Sequence, residues 1–201
     1  PWIPSRGLNM FQYYEQFELP FTEVLFRMGQ RGCVVDAAHL KNAQQAAEED
    51  LVEAEQHFIR LCKRAEVPTQ YLATFNMGSA PQVGELIEKY LKAEIVDRTP
   101  TGKVSTDDES LRKVKGCKKI IDRLLDWRRI KKLLITYIVP SQEIHAQYDG
   151  RIHTNLKQIG TATGRISSSS PNLQDIARSG TTDKYEVRKA FVAPPGVVVG
   201  D

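Results

Sequence analysis

The stretch KKIIDRLLDWRRIKKLLITYI, residues 118–138, decides the fold class, because its apolar residues recur at intervals of three and four. This period predicts a long amphipathic helix whose lysines and arginines lie on the face away from the core. The side chains expected in the core are Ile120, Ile121, Leu124, Leu125, Trp127, Ile130, Leu134, Tyr137 and Ile138. After Pro140 the pattern changes, and RIHTNLKQI (151–159) alternates with the period of a half-buried strand.

The residues before 118 also have the periodicity of helices. Helices are predicted over 11–30, from the N-cap Asp36 to about residue 65, after Ser79, and from Thr106 or Asp107. The first of these would bury one apolar face, formed by Phe17, Phe21, Val24, Leu25 and Met28. A Ser-rich bend follows the predicted strand, and a short basic helix is predicted over 184–191. Helices followed by a small sheet indicate an α+β fold that is mainly α, with two modules meeting near residue 140.

Composition restricts the class of protein. The chain has 201 residues, of which 41% are hydrophobic and 26% charged, as in ordinary globular proteins. No apolar run approaches the roughly 20 residues that span a bilayer, so we expect no membrane association. The sequence lacks an initiator Met, and we expect it to be a piece of a longer protein. Cys33, Cys62 and Cys117 are widely spaced and match no metal motif, so we expect free thiols in a reducing, intracellular compartment.

The charge distribution is uneven although the net charge is only +3. Residues 111–140 hold ten Lys and Arg against two Asp and Glu. Such a block favours a polyanionic partner, although a solvated helix face would explain it equally simply. Arg128, Lys132 and Thr136 recur every four residues and therefore share a helix face that suits a phosphate backbone.

The segment TATGRISSSSPNLQDI (161–176) combines small residues with three side chains that donate hydrogen bonds, Arg165, Asn172 and Gln174. All four base-pair orientations present acceptors in the minor groove at purine N3 and pyrimidine O2. A guanidinium or amide at that edge would therefore sense correct pairing without reading sequence. The alternative for Arg165 is a loop arginine paired with a nearby acid. Ser167, Ser168 and Ser169 could cap a turn or donate to phosphates.

Three further positions suit phosphate binding at helix starts. Ser79 precedes one helix, and Ser105 and Thr106 precede another, so their hydroxyl groups and neighbouring N–H groups are candidate donors. Ordinary helix capping explains all three equally well. Arg188 in VRKAF would contact a DNA backbone or brace its own module.

Several of these segments resemble the family A DNA polymerases, the bacterial polymerase I type. The resemblance covers nearly the whole chain in the right order and lies in YYEQFELPFTEVLFRMGQRGCVVD (13–36), STDDESL (105–111), LLDWRRIKKLLITYI (124–138), RIHTNLKQIGTATGRISSSSPNLQDI (151–176) and VRKAFVAPPGVVVGD (187–201). It implies a helical thumb over 37–140, flanked by palm pieces over 1–36 and 141–201 that carry a small antiparallel sheet. The parent enzyme would then be a monomeric DNA-directed DNA polymerase.

The resemblance also implies roles for individual residues. Arg165, Gln174 and Asn172 would approach the minor groove of a primer-template duplex, and the thumb residues would hold its backbone. Asp201 would be the first catalytic aspartate and a ligand of the two Mg²⁺ ions that act when a dNTP is added to the primer 3′ end. With one such carboxylate, the 201-residue piece alone is expected to be inactive.

Two other functions remain open at this stage. One is a non-enzymatic accessory module that binds duplex DNA, and the other is a helical protein whose basic face binds acidic proteins. Departures from the family pattern at Leu134, Asp175, Ala177 and Arg178 suggest a divergent branch, viral or organellar. A carboxylate at Asp175 would repel phosphate, so local contacts there are in doubt.

Overall fold

The structure, a computed structural model, describes residues 7–147, 149–176 and 184–193, with the side chains of all of these except 145–147. It is mainly helical and has two small antiparallel sheets, which confirms the α+β fold. Within these ranges no helix is long and apolar enough to cross a bilayer. Ala177, Arg178 and Asp201 lie outside the described residues.

The chain divides into two compact units. One consists of Pro1–Ala43 with Tyr137–Asp201, and the other of Gln44–Thr136. The predicted module boundaries after residues 36 and 140 differ from these divisions by seven and four residues. The assignment of the modules to a thumb and a palm stays a prediction.

The Gln44–Thr136 unit is built from helices around an apolar core. Its elements are most of α3 (Ala37–Arg64), then α4 (Thr69–Ala73), α5 (Ala80–Glu85) with a π-helical segment Leu86–Tyr90, α6 (Asp108–Lys113), α7 (Lys118–Leu133) and the start of a second π-helical segment, Leu134–Ile138. Phe58 is fully buried, and its ring lies 5.5 Å from that of Phe75. All nine side chains of 118–138 that the sequence predicts in a core are buried, seven of them in this unit.

The long helix that starts at Lys118 does not end near Ile138 as predicted. It continues through the π-helical segment into α8 (Val139–Gln147), and Pro140 lies in the first turn of α8. Proline has no N–H to donate, and it is tolerated where the preceding backbone does not need that donor. The π-helical segment changes the bonding from i−4 to i−5 just before the proline, so the helix continues.

The other unit combines the N-terminal helices with the two sheets. Its elements are α1 (Met10–Tyr13), a π-helical segment Tyr14–Glu18, α2 (Leu19–Arg31), β1 (Cys33–Val34), β2 (Arg151–Ile152), β3 (Asn155–Lys157), β4 (Ser167–Ser169) and 3₁₀ turns at Leu173–Asp175 and Val187–Ala190. The predicted strand over 151–159 is split, because β2 pairs with β1 and β3 pairs with β4. The serines predicted to bend instead form β4, and the predicted basic helix over 184–191 is only a 3₁₀ turn.

The predicted apolar face of α2 is largely exposed. Leu25 is buried, whereas Phe17, Phe21, Val24 and Met28 are exposed in the part of the chain that the structure describes. Polar contacts attach this helix to the segment after β3. Thr22 Oγ1 donates to Gln158 Oε1 at 2.7 Å, and Gln158 Nε2 donates to the backbone carbonyl and to the carboxylate of Glu18.

His153, directly after β2, joins the end of α2 to the segment before β2 through two acceptors. Its Nδ1 lies 2.8 Å from the Gly29 carbonyl, and its Nε2 lies 3.1 Å from Asp149 Oδ1. Both contacts are hydrogen bonds only when the ring is protonated on both nitrogens. The Gly29 carbonyl, followed by Asp149, therefore raises the pKa of His153, and the same contact with His153 lowers the pKa of Asp149.

We expect this contact to make the stability of the chain depend on pH. Because the folded-state pKa of His153 is raised, its contribution is complete below the unfolded pKa of about 6.5 and is lost as pH rises through the folded value. Asp149 acts in the opposite direction, and its contribution is lost as pH falls through its lowered pKa. His153→Gln should therefore destabilise the chain more at about pH 5.5 than at about pH 8.5 in urea unfolding. A deficit that does not change with pH would contradict this role.

Candidate nucleic-acid interface

Arg165 follows a tight turn between β3 and β4. Gly164 has φ +75°, its N–H donates to the Thr161 carbonyl at 3.3 Å, and Thr161 Oγ1 donates to the Arg165 carbonyl at 2.9 Å. The Arg165 side chain is exposed, and no acidic side chain among the described residues pairs with it. The turn thus fixes the backbone of Arg165 and leaves its guanidinium accessible.

Gln174 lies beside this turn. Its Nε2 donates to the Ile166 carbonyl at 3.0 Å, next to Arg165 in the chain. Asn172 caps the 3₁₀ turn, because its Oδ1 accepts from the Gln174 N–H at 3.1 Å and its Nδ2 donates to Asp175 Oδ2 at 2.7 Å. The structure therefore brings Arg165 and Gln174 together, and it uses the Asn172 side chain to shape the turn between them.

Two hydroxyl groups connect this turn to the β3–β4 hairpin. Thr154 Oγ1 lies 2.6 Å from Ser168 Oγ and donates to the Pro171 carbonyl at 2.8 Å. Ser168 is buried, and its Oγ accepts from the Leu173 N–H at 3.1 Å. Buried hydroxyl groups need partners, so this network fixes the start of the turn that carries Gln174. Sequence reasoning missed Thr154, although it lies on the inward side of the alternating pattern over 151–159.

Asp175, one of the departures from the family pattern, has a defined position. Its carboxylate accepts the bond from Asn172, and it lies close enough to Tyr137 to affect that phenol. Burial, with the charge of Asp175 as the second cause, raises the pKa of Tyr137. The Asp175 carboxylate thus has a hydrogen-bond donor in the Asn172 amide.

In the Gln44–Thr136 unit, Arg128 contacts two separate loops. Its Nη1 donates to the Thr106 carbonyl at 2.5 Å, and its Nε donates to the Met77 carbonyl at 3.4 Å. The side chain is half-buried, and this burial lowers the pKa of Arg128 while the charge of Asp108 opposes the effect. The guanidinium therefore lies against the loops that precede α5 and α6.

The predicted donors on those loops take part in local structure. The Ser79 N–H donates to the Asn76 carbonyl at 2.9 Å, while the Ser79 hydroxyl makes no capping bond. The Ser105 hydroxyl donates to the carboxylate of Asp107, which caps α6 by accepting from the Ser110 N–H at 2.9 Å. The Ser105 bond, as the first of several hydrogen bonds, lowers the pKa of Asp107.

A cleft of about 490 Å³ lies beside both loops. It is lined by Ala80 and Pro81 at the start of α5 and by Lys103 and Thr106 before α6. Lys103 is exposed there, and no ion pair of Lys103 is present in the described ranges. Thr106 and the start of α5 thus face one common space.

Four of the ten Lys and Arg residues over 111–140 form ion pairs within the described part of the chain. Lys113, Lys115, Arg123 and Arg129 pair with acidic side chains, and Lys131 lies 4.4 Å from the centre of the Trp127 ring. Lys132 and Thr136 are both exposed, and Lys132 has no ion pair within the described part of the chain. Of the three residues on the predicted phosphate-binding face, Lys132 and Thr136 are thus accessible, and Arg128 is turned towards the loops.

The remaining predicted residues stand apart. Arg188 is exposed in the 3₁₀ turn Val187–Ala190, and no bond among the described residues joins its side chain to Arg165 or Gln174. No group of three His, Cys, Asp or Glu side chains suited to a metal ion occurs in the ranges that the structure covers. Asp201, the predicted metal ligand, falls outside them.

Comparisons with known proteins agree on one family. The model of DNA polymerase family A matches residues 37–200. DNA polymerase I, thermostable, of Thermus thermophilus is 35% identical over 92% of this chain and 21% of its own length. DNA polymerase I of Helicobacter pylori is 33% identical over 92% of the chain and 19% of its own length. The chain thus spans about a fifth of the length of these relatives.

A solved structure shows the same fold. The POL domain of Pol1 from M. smegmatis, in complex with DNA primer-template and dNTP, superimposes with a TM-score of 0.78 at 28% identity. The match covers 92% of this chain and 31% of that one.

Proposed function

The chain belongs to DNA polymerase family A, and from that premise we propose that it forms the duplex-binding part of a template-directed DNA polymerase. The complete protein adds dNTPs to a primer 3′ end. One observation carries this proposal: an exposed guanidinium, Arg165, follows a fixed turn beside the amide of Gln174. A guanidinium and an amide on neighbouring segments suit the acceptors in the minor groove of a correctly paired primer end.

The predicted residues other than Arg128 have the following roles in the proposal. Residues 37–140 act as the thumb, and 1–36 with 141–201 contribute to the palm. Arg165 and Gln174 contact the minor groove, and Asn172 supports them. The backbone of the duplex is held by Lys132 and Thr136, by the loops that carry Ser79, Ser105 and Thr106, and by Arg188.

The cofactor and setting are also proposals. We propose that the complete protein acts as an intracellular monomer and uses Mg²⁺, with Asp201 as one ligand, because hard cations prefer carboxylate oxygens. The described residues contain no cluster that would complete such a site.

Primer extension by the full-length protein tests this function. We expect extension of a primed template by dNTPs, in the order that the template dictates, and none on an unprimed single strand. The alternative, a non-enzymatic accessory module, predicts duplex binding without any extension. Duplex binding with no incorporation under any divalent metal would therefore replace the polymerase proposal with that alternative.

Lys132→Ala tests the backbone contact. Each phosphate neutralised contributes about 0.9 to the slope of log affinity against log salt, so we expect this variant to lower the slope by about that amount. Fluorescence anisotropy of a labelled primer-template at several salt concentrations measures it. Lys115→Ala removes the same charge from a lysine that already pairs with Glu94 at 3.1 Å, and its slope should equal that of the wild type. An unaltered slope in Lys132→Ala would mean that this lysine touches no phosphate.

A further inference from the structure

We propose that Arg128 acts as a positioning residue, which holds two duplex-binding loops of the Gln44–Thr136 unit in register and does not itself bind a phosphate. The inference rests on the proposed function, because the loops matter for DNA only if this unit binds a duplex. It differs from the simpler expectation from the sequence, in which Arg128, Lys132 and Thr136 all contact the backbone.

The hydrogen bonds of Arg128 connect two loops. Its Nη1 and Nε donate to the carbonyls of Thr106 and Met77, which belong to loops far apart in the chain. The planar guanidinium can donate in two directions at once, whereas an ammonium is a point charge with no such fork. Arg128 is therefore the side chain that ties the loop before α5 to the loop before α6.

The immediate neighbours of Arg128 are buried. The side chain is half-buried on α7, directly after Trp127, which is buried. The Trp127 ring lies near the loop before α5, since a Cβ placed on Gly78 would be 3.9 Å from it. Met77, whose carbonyl accepts from Arg128, is itself buried. Arg128 thus lies on the core helix α7 among buried side chains, and its guanidinium bonds to both loops.

The two loops lie beside one cleft. Ala80 and Pro81 at the start of α5 line the same cleft as Thr106, and exposed Lys103 lies at its wall. Two carboxylates also line it, and both form ion pairs, Glu85 with Lys89 and Glu88 with Arg98. A duplex backbone bound at this cleft would meet both loops together. Their relative position is set by Arg128, so its loss should weaken binding without removing a phosphate contact.

Arg128→Lys in the full-length protein tests the inference, with Arg129→Lys as the matched control. Arg129 is the next residue on α7, is exposed, and pairs with Asp126 at 3.4 Å. Hydrogen exchange of the free protein reports on the loops over 76–79 and 105–110, and anisotropy with a labelled primer-template duplex reports affinity and its salt slope. Exchange in the middle of α3 serves as the check that the variant is folded.

We expect Arg128→Lys to speed exchange in both loops and to weaken duplex binding, each by about tenfold, while the salt slope stays at the wild-type value. Arg129→Lys should change none of these. Unaltered loop exchange would overturn the inference, as would Arg128→Ala lowering the slope by about 0.9 while Arg128→Lys retains full affinity, since that pattern marks a phosphate contact. If the wild-type protein bound no duplex, the proposed function would fail, and the exchange result would still decide whether Arg128 holds the loops.

Discussion

Arg165→Ala in the full-length protein is expected to slow primer extension by about 10- to 100-fold while changing duplex affinity by less than about threefold. The side chain is exposed after a turn that Gly164 and Thr161 fix, so its removal leaves the backbone in place. A charged donor to a minor-groove acceptor matters most at the primer end, where the reacting atoms must be aligned. The other residues of the proposed interface would still hold the duplex, so we expect affinity to change little. Single-turnover extension and anisotropy, measured on the same preparation, separate the two effects.

Two further variants sharpen this test. Arg165→Lys keeps the charge but loses the fork, so we expect it to remain slow if two acceptors are contacted. Lys157→Ala removes an exposed cation from β3, opposite Ser167 in the neighbouring strand, and should extend primers at the wild-type rate. Normal extension by Arg165→Ala would discard the minor-groove role. A large loss of affinity in Arg165→Ala would instead assign Arg165 to general backbone binding.

Gly32→Ala is expected to lower the free energy of unfolding of this chain by about 3–5 kcal/mol. Gly32 has φ +63° and ψ 179°, a region that is essentially restricted to glycine. An added Cβ would also lie 2.8 Å from the His153 ring and 3.0 Å from the Ile152 carbonyl. The substitution would therefore strain the backbone and displace His153 from both of its acceptors at the same time.

Gly29→Ala is the matched control three residues earlier. Its Cβ would lie 3.5 Å from the Thr154 carbonyl, an ordinary contact, and alanine favours the helical conformation that Gly29 already has. We expect Gly29→Ala to be neutral or slightly stabilising in urea unfolding. Equal stabilities for Gly32→Ala and the wild type would show that the turn after α2 is not constrained in this way.

The sequence predicted the parts of the fold that depend on local periodicity. The nine apolar positions of 118–138 are all buried, because a helix of that length has one consistent core side. Asp36 caps α3 as predicted, with its Oδ1 accepting from the His39 N–H at 2.9 Å. Such features follow from residues close together in the chain, which a single sequence contains in full.

Other features depend on partners distant in sequence. Phe17, Phe21, Val24 and Met28 have the spacing of a buried stripe, but spacing alone does not specify what covers it, and they are exposed in the described residues. The continuation of the helix past Pro140 depends on a π-helical segment that no propensity indicates.

The candidate site was predictable in its residue types and less so in their roles. Arg165 and Gln174 were chosen as donors and do lie together, although contact with DNA stays a proposal. Arg128 was chosen by its spacing of four from Lys132, and that spacing does not reveal the two carbonyls that it meets. The sequence offers the serines for turn capping, and Ser168 Oγ does accept from the Leu173 N–H. It does not single out Thr154, because a hydroxyl in a strand has no distinguishing pattern until its partner, here Ser168, is known.

The bond from Gln174 to the Ile166 carbonyl has a consequence for how such a site would judge a primer end. To donate to a base, the Gln174 amide would first have to break its hydrogen bond to the Ile166 carbonyl. Replacing one hydrogen bond by another would give little net binding free energy, even at a correctly matched base pair. Arg165 has no acidic partner among the described residues, so it would break no ion pair before donating to a base. A mispaired primer end would then lose more binding free energy through Arg165 than through Gln174.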